Sequence, residues 1–284
     1  RVPATETLAA TLSPAARRAA LQAFHARHDL PLVLKPDVGE RGRGVVVART
    51  LAEAEHALER APGELLLQAY VPGREFGLFY VRPPGAPTGR LLSITAKHLP
   101  FVVGDGRSTL EQLLFADART LGLARFHLEA QAARLAWVPA SGERVPLGDL
   151  GTHCRGATFL DAAALATPAL EEAVERVSRC FPGFHFGRYD VRAPSDEALA
   201  AGEFQVLELN GLTSESTHVY DPRHSLLEAW RDLAQQWRLA FEISAANRHA
   251  GAPVPAWAEV RRALRGRGTA PSERGAPGPM LELG

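Results

Sequence analysis

Apolar and polar positions recur along this chain with two different periods, and the changes of period outline its elements. Ser13-Pro14 sets a capping serine before a proline at the first helical position, and the Ala/Arg-rich run to about Arg27 continues as a helix. Leu30 to Leu34 is a short apolar strand entering Lys35-Pro36, and Val45 to Ala48 is a second strand after the glycine-bearing run Asp37 to Gly44. Helical spacing returns from Leu51 to Arg60 and is broken by Pro62-Gly63. A third strand, Glu64 to Val71, ends at Pro72-Gly73. Glu75 to Val81 and Arg90 to Ala96 form a hairpin across a Pro/Gly loop. Gly104-Asp105-Gly106 is a turn, and Ser108 with Glu111 reads as a capping box. A longer helix is expected over Ala116 to Trp137 and another over Pro168 to Arg179. The strands Phe184 to Arg192 and Glu203 to Leu209 follow, joined by a polar loop. Ser225 with Glu228 opens a helix reaching about Arg248. Beyond Ala263 the residues are Arg, Gly, Pro and Ser, so 264–284 is expected to be a mobile tail.

Strands and helices mix without regular alternation, which predicts an α+β fold rather than a doubly wound sheet. Composition narrows the function. The 32 basic and 32 acidic residues cancel, so no general field favours nucleic acid or an anionic membrane. No apolar run is long enough to span a bilayer. Cys154 and Cys180 are the only cysteines, too few for a disulfide framework or a cysteine-based zinc site, and a cytoplasmic location is expected. The single methionine is Met280, so the chain is read as beginning inside a longer protein. Only Lys35 and Lys97 are lysines, all other basic residues being arginine.

Two groups of residues can carry chemistry. The loop Gly39-Glu40-Arg41-Gly42-Arg43-Gly44 allows backbone N–H groups to approach phosphate oxygens. It leads into a strand rather than a helix and lacks a Gly-Lys-Ser/Thr triplet, so it is neither a dinucleotide fingerprint nor a P-loop. A plain hairpin turn is the alternative, and Lys35 just before the loop is what favours phosphate. The second group is Arg188 and Asp190 on one strand with Glu208 and Asn210 on the next. Alternation places each pair on one face, and hairpin pairing makes all four converge. Two carboxylates and an amide oxygen are hard ligands suited to Mg²⁺. The alternative is a solvated hairpin face holding an ion pair, with Val191, Val206, Leu207 and Leu209 on the buried side.

Leu34-Lys35-Pro36 with the glycine loop, Gln68-Ala69-Tyr70-Val71-Pro72-Gly73-Arg74-Glu75-Phe76, Gly187-Arg188-Tyr189-Asp190-Val191 and Leu207-Glu208-Leu209-Asn210 resemble the ATP-grasp enzymes in order and spacing, over roughly Val2 to Gln236. The last two segments are closest to D-alanine:D-alanine ligases. Val103 to Leu110 is similar instead to cyanophycin synthetase. The resemblance implies an ATP-grasp fold of two α+β subdomains clasping ATP: a lid over 1–72 and a larger part over 73–251. It implies a ligase forming an amide or peptide bond between a small-molecule carboxylate and an amine (amino acid or peptide) through an acyl phosphate, releasing ADP and phosphate.

Roles follow residue by residue. Lys35 and the loop with Gly39, Gly42 and Gly44 would hold the phosphates, and Gln68, Ala69, Tyr70 and Val71 would form the adenine hinge. Glu75 would take the ribose. Asp190, Glu208 and Asn210 would hold a pair of Mg²⁺ ions, or Mn²⁺ in their place. Arg188 would offset charge on the transferring group and Arg155 would contact the acyl phosphate. Lys97, with His98, reaches the phosphates or is an exposed strand end. Ser214, Glu215 and His218 would meet a polar or zwitterionic acceptor substrate. His153-Cys154 lacks the partners of a nucleophile or metal motif. Gln68 departs from the family, where a carboxylate often stands. The usual domain before the ATP-binding part is also lacking, so it lies outside this sequence, comes from a partner chain, or is not needed. An ATP-grasp kinase, a ligase for another nucleophile, and a non-catalytic ATP-binding module are the rival readings.

Overall fold

A computed structural model describes residues 1–37, 42–61, 63–152 and 155–266. Gly39, His153 and Cys154 lie outside them, as does the expected tail from 267 onward; 264–266 complete the last helix.

The first unit contains β1 (Thr5–Leu8), α1 (Pro14–His25), β2 (Leu32–Pro36), β3 (Val46–Ala48), α2 (Leu51–Arg60) and β4 (Leu65–Ala69). Its strands form an antiparallel sheet in the order β1-β4-β2-β3. The local signals for its helices hold. Ser13 Oγ accepts from Ala16 N, and Thr50 caps α2 in the same way through Glu53 N. Leu21 and Phe24 of α1 and Ala54 and Leu58 of α2 pack on Leu32, Leu34, Leu65 and Leu67 of the sheet. The glycine loop therefore joins two paired strands.

The chain changes sheet at Pro72-Gly73. Gly73 has φ +112°, and a Cβ there would lie 2.2 Å from the Ala193 carbonyl oxygen. Gly73→Ala is thus expected to cost at least about 2 kcal/mol and lower the melting temperature by roughly 4–8 °C; an unchanged melting curve would show that the turn yields.

The second unit opens with β5 (Arg74–Val81) and β6 (Arg90–His98). An accessory region follows: β7 (Phe101–Val103), α3 (Leu110–Ala116), α4 (Ala118–Leu121), α5 (Ala124–Ala130) and β8 (Arg144–Pro146), the two strands pairing over Val102, Leu110, Leu114, Val145 and Leu147. β9 (Thr158–Asp161), α6 (Pro168–Arg179), β10 (Phe186–Ala193), α7 (Asp196–Ala200), β11 (Gln205–Asn210), a 3-10 helix (Thr217–Tyr220), α8 (Leu226–His249) and α9 (Trp257–Gly266) complete the chain. The second sheet is antiparallel in the order β11-β10-β5-β6-β9. Two antiparallel sheets with segregated helices are the α+β class read from the sequence.

Three local expectations are corrected. The single helix over Ala116 to Trp137 is broken, because the Asp117 side chain accepts from Arg119 N and Thr120 N and starts a new helix there. The capping box of α3 uses Thr109 and Gln112 rather than Ser108 and Glu111. Ser108 Oγ instead donates to Asp105 at 2.7 Å, in the turn that precedes the helix. α7 also occupies part of what read as a polar loop.

One face of the second sheet divides along its strands. Phe76, Leu78, Tyr80 and Ile94 point to α6 and α7. On the opposite face, Phe79, Val81 and Phe186 lie under Ala240 and Ile243 of α8. Farther along that same face the side chains become Glu75, Gly77, Thr95, Lys97, Asp190 and Arg192, which α8 does not cover. The polar half is the floor of a cleft.

Candidate functional site

The cleft encloses about 380 Å³ between the two sheets. Val33, Val47 and Leu66 line its apolar side, Lys35 and Gln68 come from the first sheet, and Glu75, Lys97, Asp190, Arg192 and Glu208 come from the second.

Strand register builds the floor. Glu75 stands opposite Lys97 on one side and Arg192 on the other, so three charges form a row across β6, β5 and β10. Lys97 Nζ lies 3.0 Å from Glu75 Oε1 and 3.0 Å from Asp190 Oδ1, while Arg192 Nη2 reaches Glu75 Oε2 at 3.4 Å. Asp190 also accepts from Arg188 Nε at 2.9 Å. Between them Gly77 has no side chain; a Cβ there would come 3.2 Å from Arg188 Cδ and 3.7 Å from Asp190 Oδ1. Glycine therefore leaves the space in which these groups meet. Lys97 is buried, not an exposed strand end, and His98 lines a different cavity.

The charges hold one another ionised. Burial by itself would raise the Asp190 pKa, but Lys97 and Arg188 outweigh it and hold the carboxyl below its ordinary range. Burial likewise opposes the Lys97 ammonium, and Asp190 and Glu75 reverse the effect, so its pKa moves up. Lys35 differs: desolvation lowers its pKa, and the charge of Glu208 offsets this only in part. Its Nζ donates to Gln68 Oε1 at 3.2 Å and to the Leu207 carbonyl at 3.4 Å, both neutral acceptors.

The four residues expected to converge do so. Arg188 pairs with Asn210 and Asp190 with Glu208 in the β10–β11 register. Asn210 Nδ2 donates to Asp190 Oδ2 at 3.5 Å. Asp190 is only 8% exposed while Arg188 and Asn210 are half-buried and Glu208 is exposed, so the face is buried at its centre and open at Glu208, and the Arg188–Asp190 ion pair of that alternative is present. The carboxylates of Asp190 and Glu208 with the Asn210 amide form a hard-oxygen donor set, and Glu208 is in no ion pair among the described residues; the set fits Mg²⁺. One element of the strand pattern needs correction. Val191 pairs with Val206, which makes Leu207 the extra residue of a bulge. Val206 therefore packs in the core while Leu207, expected on the buried side, lines the cleft.

The remaining expected residues are distributed unevenly. Gly42, Ala69, Tyr70 and Val71 line the cleft, and Gly44 follows Gly42 in the same turn. Arg155 donates from Nη2 to the Gly42 carbonyl at 2.7 Å and faces a neighbouring cavity, so it grips the glycine loop. Ser214 Oγ donates to the carbonyls of Asn210 and Gly211, and the Glu215 carbonyl accepts from Arg188 Nη1 at 3.1 Å. His218 is turned toward Asp232 of α8, its Nε2 3.1 Å from the carboxylate, and is not among the residues lining the cleft. Arg192 was missed in the sequence. It donates from Nη1 to the Val71 carbonyl at 2.8 Å and its guanidinium lies 5.0 Å from the Tyr70 ring, which ties the hinge to the floor. Alternation from Arg188 through Asp190 was the signal that could have found it.

No family model and no curated protein matches the sequence. Solved structures do. D-alanine--D-alanine ligase from Bacillus anthracis is 16% identical, with a TM-score of 0.45 over 88% of this chain and 62% of that one. A bifunctional glutathione synthetase from Pasteurella multocida is 16% identical, with a TM-score of 0.43 over 84% of this chain and 34% of that one. VanG D-Ala:D-Ser ligase from Enterococcus faecalis is 14% identical, with a TM-score of 0.44 over 83% of this chain and 57% of that one. This chain thus spans from 34% to 62% of these structures, and the likeness is one of fold. No helix among the described residues is long and apolar enough to cross a membrane.

Proposed function

We propose that the chain is the ATP-grasp portion of a carboxylate–amine ligase that binds Mg²⁺-ATP in the cleft and forms an amide or peptide bond through an acyl phosphate. Lys35, Asp190 and Glu208 line one opening, and Arg188 and Asn210 donate to Asp190 beside it, which carries this reading. In it, Val33, Val47 and Leu66 present an apolar surface to the base, beside the hinge formed by Gln68, Ala69, Tyr70 and Val71. Arg192 fixes the hinge through the Val71 carbonyl. Glu75, already balanced between Lys97 and Arg192, stands where the ribose would lie. Gly42, whose carbonyl accepts from Arg155, would stand at the phosphate end of the cleft.

Because Gln68 is neutral where a carboxylate would form an ion pair, it does not neutralise the Lys35 ammonium, which is left to pair with phosphate. Mg²⁺ held by Asp190, Glu208 and Asn210 would neutralise phosphate charge. Arg188, braced by Asp190 and the Glu215 carbonyl, offsets the charge that develops on the transferring group. This division of labour suits phosphoryl transfer, where positioning and charge neutralisation do most of the work. Ser214 and Glu215 frame the acceptor end.

An ADP-release assay over amino acids, hydroxy acids and short peptides tests the reading. Release that requires an amine supports it, and release with hydroxyl acceptors alone would favour the other nucleophile class. For binding, Lys35→Ala is expected to weaken ATP affinity roughly 10- to 100-fold by calorimetric titration, as expected for a charge-assisted contact. An unchanged dissociation constant would remove Lys35 from the site.

A further inference from the structure

Outside the cleft, His218, His224 and Asp232 bring two imidazoles and a carboxylate together, with one ligand atom of each within 4.8 Å of the others. They come from three places: the 3-10 helix, the turn behind it, and the first turns of α8. His218 Nε2 is 3.1 Å from Asp232 Oδ2, and the two rings meet edge to face at 5.6 Å. His224 Nε2 lies 3.2 Å from Asp161 Oδ2 at the end of β9.

The independent observation is an unmet hydrogen-bonding need. His218 is 8% exposed, and the Nδ1 atoms of both histidines are buried with no hydrogen-bond partner among the described residues. Leaving such a group unpaired costs roughly 1–3 kcal/mol, and structural polar clusters normally avoid it. In His224 an Nε2–H donating to Asp161 leaves the Nδ1 lone pair free. A carboxylate orienting an imidazole from behind is the usual support of a metal-ligating histidine.

We propose that His218, His224 and Asp232 form a Zn²⁺ site, oriented by Asp161, that fastens the segment after β11 to α8. Imidazole with carboxylate suits zinc better than magnesium. Tetrahedral zinc holds its donors about 3.4 Å apart, so side-chain rotations closing the group by about an ångström complete the site. A fourth position remains for water. The ion would steady the loop whose Glu215 carbonyl braces Arg188. The site uses none of the proposed Mg²⁺ ligands, so it does not depend on the ligase reading.

The test uses the full chain, stripped with chelator and dialysed against Zn²⁺. One Zn²⁺ per chain by elemental analysis is expected, with a raised melting temperature and a tetrahedral Co²⁺ absorption spectrum after substitution. His224→Gln and Asp232→Asn should weaken zinc binding about a hundredfold and Asp161→Asn about tenfold, while Asp190→Asn keeps it. Absence of bound zinc in the folded chain, undiminished binding in His224→Gln, or its loss in Asp190→Asn would overturn the assignment. If His224→Gln does not fold, an octahedral Co²⁺ spectrum of the unaltered chain overturns it equally.

Discussion

Asp190→Asn is expected to lower ATP-dependent ADP release by at least about 10²–10³-fold while leaving the fold intact, since removing one preorganised electrostatic partner has effects of this size. The side chain keeps its shape but loses the charge that Lys97, Arg188 and the proposed metal all share. Lys97 retains Glu75 and Arg188 retains the Glu215 carbonyl, so both cations stay placed without their common anion. The measurement is a steady-state ADP assay at saturating ATP and metal, with a melting curve beside it. Turnover within a factor of a few of the parent would remove Asp190 from the metal site. The pH dependence supplies a second readout. The Asp190 pKa is depressed, so its contribution to stability is present above the ordinary carboxyl value and is lost as pH falls through the folded one. The stability gap between parent and variant should therefore narrow at strongly acidic pH.

Lys97→Met should be the most destabilising single change in the cleft, by about 3–5 kcal/mol. It leaves Asp190 and Glu75 facing each other across a buried space, with Arg188 and Arg192 as their remaining partners. Methionine fills the volume of the lysine stem, so the loss reports charge rather than a cavity. The sign with pH is opposite to that of Asp190. The Lys97 pKa is raised, so its contribution is complete below the ordinary lysine value of about 10.4 and disappears as pH rises through the folded value. Urea denaturation at neutral and at strongly alkaline pH checks this. A gap between parent and variant that stays constant across that range would show that the ammonium charge is not what stabilises the floor.

The elements whose signals are local were legible in the chain. α1, α2, α6 and α8 carry their own caps and apolar stripes, and α2 and α6 span the residues the pattern assigns. Where two local signals compete, the pattern misled. Asp105 took Ser108 into a turn, and Asp117 divided a helix that periodicity alone would continue. β1, Thr-Glu-Thr-Leu with Leu8 its only buried residue, carries no apolar run to announce it and is stabilised by pairing with β4, a distant partner in the chain.

Alternation along two strands was enough to bring Arg188, Asp190, Glu208 and Asn210 to one face, because side-chain direction in a strand follows from its backbone alone. The chain could not announce that Glu75, Lys97 and Arg192 form a row, that Leu207 bulges into the cleft, or that His218 turns to α8. Those facts come from the register between strands and from the helix laid across one end of the sheet. They depend on which distant segments pair, and no short stretch of residues contains that information.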